Sequence, residues 1–179
     1  ARRDVMQITI ADAIDLAVRT LTAHRMPPAC ARAVAAHLVD AALCGHEFSS
    51  LPRLLAIVEE IRQKPLPAPM RLVRETANSA HVDGGDNIAY AVSIFAVDKA
   101  IEICRRSGIA VVTASNTWFS GRLAYYVERA ARAGFVAMHT TNTTARVAPF
   151  GGIDRVMGTN PFAIAFPATD EPVIVDIGT

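Results

Sequence analysis

The run from Ser115 to Asp176 constrains this chain most. It reads S-N-T-W-F-S-G-R-L-A-Y-Y-V-E, then T-T-N, V-A-P-F-G-G, M-G-T-N-P-F and V-I-V-D-I-G-T. One short helical pattern alternates there with glycine-bearing loops and apolar strands. Glycine lets a loop take positive φ and bring bare backbone N–H groups up to a ligand. The segments before the run read as helical support.

The rest of the composition narrows the class. At 179 residues, 51% of them hydrophobic, the chain can bury a sizeable core and is not disordered. A formal net charge of +1 is too balanced for a nucleic-acid footprint. No apolar run reaches a membrane span, and the N-terminus lacks the apolar core of a signal peptide. The three cysteines, Cys30, Cys44 and Cys104, have no C-x-x-C spacing and fall on helical patterns. They read as reduced, mostly buried thiols of a cytoplasmic protein.

In chain order, Thr9 with Asp12 opens a first helix with Ile14, Ala17, Val18 and Leu21 on one face. A second follows Pro27-Pro28 with Ala31, Val34, Ala35, Leu38 and Ala42, and Gly45 ends it. Ser49 or Ser50 caps a third, which carries Leu54, Leu55, Val58 and Ile61. An extended Pro-rich linker leads to two strands over 70–83 with a turn at Asn78, then a loop at Gly84-Gly85-Asp86-Asn87. A long helix over 89–106 precedes a buried strand, I-A-V-V-T-A-S. A helix over 121–133 with Ser120 as cap and three further strands complete the tally. This predicts a mixed α/β fold: an N-terminal helical segment over 1–69, then a mixed sheet with flanking helices over 70–179.

Most short motifs are absent. There is no G-x-G-x-x-G, no Walker A loop and no G-x-S-x-G elbow. His46-Glu47 fails to complete a zincin motif, and the five histidines show no ligand spacing, so no metal is expected.

A distributed constellation carries more information. G-H-E-F-S-S-L-P-R, V-D-G-G-D-N, S-N-T-W-F-S-G-R-L-A-Y-Y, A-P-F-G-G, G-T-N-P-F and V-I-V-D-I-G-T occur in that order. Together they resemble the malate/L-lactate dehydrogenase family, a non-Rossmann branch that includes ureidoglycolate and sulfolactate dehydrogenases. The resemblance spans nearly the whole chain and about half of a family member. It implies reduction of 2-keto acids, or oxidation of 2-hydroxy acids, with NAD or NADP, and it implies an oligomer. It places Asn142, Gly151, Gly152, Gly158, Thr159, Asn160 and Pro161 beside the cofactor, and Arg53 on the substrate carboxylate. A guanidinium fork suits that task because it pairs bidentately with a carboxylate.

Four positions depart from the pattern. Where the resemblance expects Ser, His and Gly at the start of the third helix, the chain has Phe48, Ser49 and Ser50. Where it expects a second His, two residues before Gly121, the chain has Phe119. Histidine titrates near neutrality and carries a proton well; Ser and Phe do not. His46 stands three residues before the lost His, and otherwise reads as a helix C-cap.

Those losses, with an apolar strand running to Thr179, frame a leading expectation of repurposed amide or acyl (hydrolase-type) chemistry. In that reading no cofactor is used, Ser49 and His46 are catalytic, and the precursor cleaves itself after Thr179. The cut frees an N-terminal nucleophile on a companion C-terminal polypeptide, whose α-amine serves as its own base. An NAD(P)-dependent 2-hydroxy-acid dehydrogenase with an altered proton donor is the alternative, and an inactive scaffold subunit a further one. Expected partners are the companion polypeptide, further copies of the assembly and a small-molecule substrate, with neither nucleic acid nor membrane.

Overall fold

The computed structural model describes residues 7–178. The chain order is α1 (Ile10–Ala23), α2 (Pro28–Leu43), α3 (Arg53–Gln63), β1 (Arg71–Glu75), β2 (Ser79–Ile88), α4 (Ala89–Ser107), β3 (Val111–Trp118), α5 (Ala124–Arg132), β4 (Ala137–Thr140), β5 (Phe162–Phe166) and β6 (Val173–Ile177). This is a mixed α/β architecture with two three-stranded sheets, ordered β1-β2-β3 and β4-β5-β6. Among the described residues no helix is long and apolar enough to cross a membrane.

The chain divides into two compact units. Unit 1 comprises residues 1–70, 84–92 and 116–121; unit 2 comprises 71–83, 93–115 and 122–179.

Unit 1 is built on α1–α3. The Thr9 hydroxyl accepts the Asp12 N–H at 3.1 Å, which satisfies an orphan donor of α1. Ala13, Ala17 and Leu21 then bury. In α2 the buried set is Ala31, Val34, Ala35, Leu38, Val39 and Ala41, with His37 among them; Ala42 faces out instead. Gly45 at φ +81 closes α2, the Gly45 N–H bonding to Ala42 O and the His46 N–H to Ala41 O. Neither Ser49 nor Ser50 caps α3 with its side chain. Pro52 is the N-cap, and the Ser50 hydroxyl donates to Glu47 O at 2.8 Å. Leu55 is exposed, and Ile57 takes its expected place in the core.

Two further expectations change here. Gly84–Asn87 is not a free loop but the continuation of β2. The Pro-rich linker supplies its partners: Ala68 N–H donates to Gly85 O at 2.8 Å, and the Asn87 amide donates to Ala68 O at 2.7 Å. Gly85, at φ +59, is required there, since a Cβ would lie 2.5 Å from Ala68 O. β3 lies two residues further along than expected, and none of its residues is buried: half are exposed and half partly buried.

In unit 2, β4-β5-β6 is antiparallel. The register puts Ala137, His139, Ala163, Ala165, Ile174 and Asp176 on one face. α5 covers that face through Leu123, Tyr126, Val127 and Ala131. α5 starts at Ala124, later than expected, and Ser120 does not cap it. Asp176 does so across the unit: its carboxylate accepts the Ala124 N–H at 2.8 Å, a favourable charge at a helix N-terminus. The opposite face carries Met138, Ile164, Phe166, Val173, Val175 and Ile177, and most of it is exposed.

The thiols are less buried than expected. Cys44 is exposed, and Cys30 and Cys104 are half-buried; all three are free.

Candidate functional site

Arg53 is the first residue of α3 and is half-buried. Its guanidinium carbon lies 4.2 Å from the Phe48 ring centroid and 5.2 Å from that of Phe119. Both rings therefore offer it a π face. Among the described residues no carboxylate pairs with it. Lys64 of the same unit, by contrast, bonds to Asp86 at 3.0 Å. A cation seated on rings and lacking an anion is poised for a carboxylate from outside.

Phe48 and Phe119 therefore do more than replace expected polar residues. They seat the Arg53 guanidinium against two ring faces. Phe119 adopts φ +47 and packs on the core of unit 1 beside Tyr90.

His46 and Ser49 lie in the turn between α2 and α3. His46 is exposed, and its backbone N–H closes α2. Ser49 is half-buried, and its hydroxyl makes no hydrogen bond among the described residues. Among the described residues no hydrogen bond joins the two side chains. Thr179 lies outside the described residues.

The expected cofactor residues belong to unit 2. Thr143, next to Asn142, joins two loops: its N–H donates to the Asn160 side-chain oxygen at 3.2 Å, and its hydroxyl accepts the Thr159 N–H at 2.9 Å. Gly158 permits this closure, because a Cβ there would collide with the Thr143 carbonyl and hydroxyl oxygens. Asn160, at φ +38, turns the chain into Pro161 and β5. Gly151 and Gly152 sit farther out, at the tip of a hairpin closed by the Val147–Met157 bridge; the Gly152 N–H donates to Pro149 O. The structure thus gathers Asn142, Gly158, Thr159, Asn160 and Pro161 around Thr143, and sets Gly151 and Gly152 on a separate exposed turn. Arg146 and Arg155, on the same hairpin, are exposed and unpaired with any carboxylate among the described residues. Exposed hydroxyls, amides and two guanidiniums suit a dinucleotide's phosphates, so the residues present fit such a group.

His139 faces α5, its ring 5.2 Å from that of Tyr126. Burial pushes its pKa below the ordinary histidine value, while the Asp176 carboxylate pulls the other way. It is half-buried on the covered face of the sheet, and among the described residues no group of three or more His, Cys, Asp or Glu is placed to hold a metal ion.

Tyr90 is a residue that the sequence reading passed over. It sits at the second position of α4, wholly buried, and no local pattern distinguishes it from a core aromatic.

Comparisons with known proteins bear on the chemistry. A family model described as malate/L-lactate dehydrogenase matches residues 8–179. A malate dehydrogenase of Pyrococcus horikoshii is 36% identical over 164 residues, covering 90% of this chain and 46% of that protein. A hydroxycarboxylate dehydrogenase B of Escherichia coli is 33% identical over 154 residues, covering 83% of this chain and 43% of that protein. The solved structure of the Pyrococcus horikoshii malate dehydrogenase superposes with a TM-score of 0.91 at 33% identity, over 97% of this chain and 51% of that one. The chain spans about half the length of the relatives it matches. These relatives carry dehydrogenase names, which overturns the expectation of a self-cleaving hydrolase or acyl-transfer enzyme without a cofactor. The histidine losses that prompted the hydrolase reading concern how a proton moves, and leave the hydride chemistry of the scaffold open.

Proposed function

The chain belongs to the malate/L-lactate dehydrogenase family, and from that premise we propose that it serves an NAD(P)-dependent oxidoreductase acting on a small 2-hydroxy or 2-keto acid. The observation that carries this reading is Arg53, a guanidinium held over two aromatic rings and unpaired with any carboxylate among the described residues. A 2-keto acid always presents a carboxylate, and Arg53 pairs with it bidentately.

The chain's own residues divide the work. Arg53 fixes the acid end of the substrate. Thr143, Gly158, Thr159 and Asn160, with Arg146 and Arg155 nearby on the hairpin, would hold the dinucleotide through its phosphates and sugars. When bound, the nicotinamide supplies or accepts the hydride. Cytoplasmic residence, without nucleic acid or membrane as partner, belongs to the same reading.

The exposed apolar face of β4-β5-β6 supports a companion polypeptide as partner, which would cover Met138, Phe166, Val173, Val175 and Ile177. Further copies of the assembly are proposed as well. The test is consumption of reduced nicotinamide by the purified natural gene product against a panel of 2-keto acids. Turnover that Arg53→Gln abolishes is expected. A product that neither binds dinucleotide nor turns over any 2-keto acid would refute the reading and leave an inactive scaffold.

A further inference from the structure

The Tyr90 hydroxyl is buried and has no hydrogen-bond partner. Native proteins rarely tolerate this, because the group loses its water and gains nothing in return. Phenylalanine would fill the same space without that penalty. The ring is fixed on two sides. The His37 ring meets it edge-on, with centroids 4.6 Å apart at 82°. Gly121, at φ +68, allows the close approach, since a Cβ there would lie 2.6 Å from Tyr90 Cε1 and 2.6 Å from His37 Nε2.

The phenol also lies within the field of Arg53. Phe119, one of the two rings beneath the guanidinium, packs on the cluster that contains Tyr90. Burial pushes the Tyr90 pKa up to about 12, against the pull of the Arg53 charge. The phenol is therefore a neutral O–H donor across the physiological range.

A cation that lacks an anion and a donor that lacks an acceptor thus occur together in unit 1. We propose that Tyr90 Oη donates a hydrogen bond to the C2 oxygen of a 2-oxo or 2-hydroxy acid whose carboxylate pairs with Arg53. This rests on the dehydrogenase reading above. Such acids carry acceptor oxygens on adjacent carbons, one anionic and one neutral, which matches the pair of donors. The guanidinium leaves its ring seats for the carboxylate, because a bidentate charge-assisted pair outweighs contact with exposed ring faces. The same rearrangement must also bring the buried phenol within reach of the ligand. Tyr90 then holds the proton at the C2 oxygen, a task for which the chain has no histidine at positions 49 and 119.

The experiment is titration of the purified protein with pyruvate, which has a C2 oxygen, and with propionate, which has only the carboxylate. Tyr90→Phe should weaken pyruvate roughly five- to tenfold and leave propionate within about twofold, as expected for one neutral hydrogen bond. It should also raise Tm, because a buried unsatisfied hydroxyl is removed. Arg53→Gln should weaken both ligands. If Arg53→Gln weakens neither, the carboxylate reading of Arg53 fails and the proposal with it. If Arg53→Gln weakens both while Tyr90→Phe binds pyruvate as the parent does, the Tyr90 proposal alone is overturned. A readout without substitution is the NMR signal of 13C-labelled tyrosine Cζ in the parent. One resonance should shift with pyruvate and stay in place with propionate; no shift with either, or the same shift with both, contradicts the proposal.

Discussion

In unit 1 the groups of chemical interest grow out of a packed core. Arg53 heads a helix whose next turn carries the buried Ile57, and Tyr90 is itself part of the core. In unit 2 the candidate cofactor residues ride on exposed loops that bond mainly to one another through Thr143. The difference matches the ligands proposed for each. A small acid offers few atoms, so it needs partners that stand on a defined core. A dinucleotide offers many polar atoms, so loops with spare hydroxyls and amides suffice. The β4-β5-β6 sheet repeats the contrast at smaller scale, with one face buried under α5 and the other bare.

The largest effect should come from emptying the core of unit 1. Leu38→Ala removes a fully buried side chain and should cost about 3 kcal/mol in chemical denaturation. A loss below about 1 kcal/mol would mean that this core is not the rigid platform described. Next comes the sheet. Ala163→Leu overfills the covered face and should cost about 2 kcal/mol, whereas Val175→Thr on the bare face should fall within about 0.5 kcal/mol in the chain alone. Equal effects would erase the distinction between the faces.

His139 gives a smaller, pH-dependent effect. Its pKa is lower in the folded state than in the unfolded one, because burial disfavours the charged ring. Above the unfolded value of about 6.5 neither state binds the proton and His139 is neutral to stability. As pH falls below it, the unfolded chain takes up a proton that the native state refuses, so stability declines toward the folded pKa. His139→Gln should flatten that part of the profile of unfolding free energy against pH. An unchanged slope would place the titration elsewhere.

Much of the fold was legible in the sequence, because its signals were local. Thr9 with Asp12 and Gly45 mark helix ends through local backbone needs. The reading failed where a distant segment supplied the partner. Gly84–Asn87 looks like a loop until the 64–70 linker pairs with it. α5 starts late because Gly121 is spent on letting Tyr90 and His37 close in, and its cap comes from Asp176 on another element. Arg53 was found through the resemblance, yet its ring seat was not, because Phe48 and Phe119 meet only in three dimensions. The loss of histidine at two positions was read as a change of reaction; the dehydrogenase names of the relatives overturn that reading.

The division of labour between the units is tested most directly by calorimetric titration of Arg53→Gln and its parent, first with reduced nicotinamide dinucleotide and then with a 2-keto acid. The account predicts an unchanged dinucleotide Kd, within about twofold, and a roughly ten- to hundredfold weaker Kd for the acid, as expected for charge-assisted hydrogen bonds. An acid that binds Arg53→Gln as tightly as the parent would contradict it.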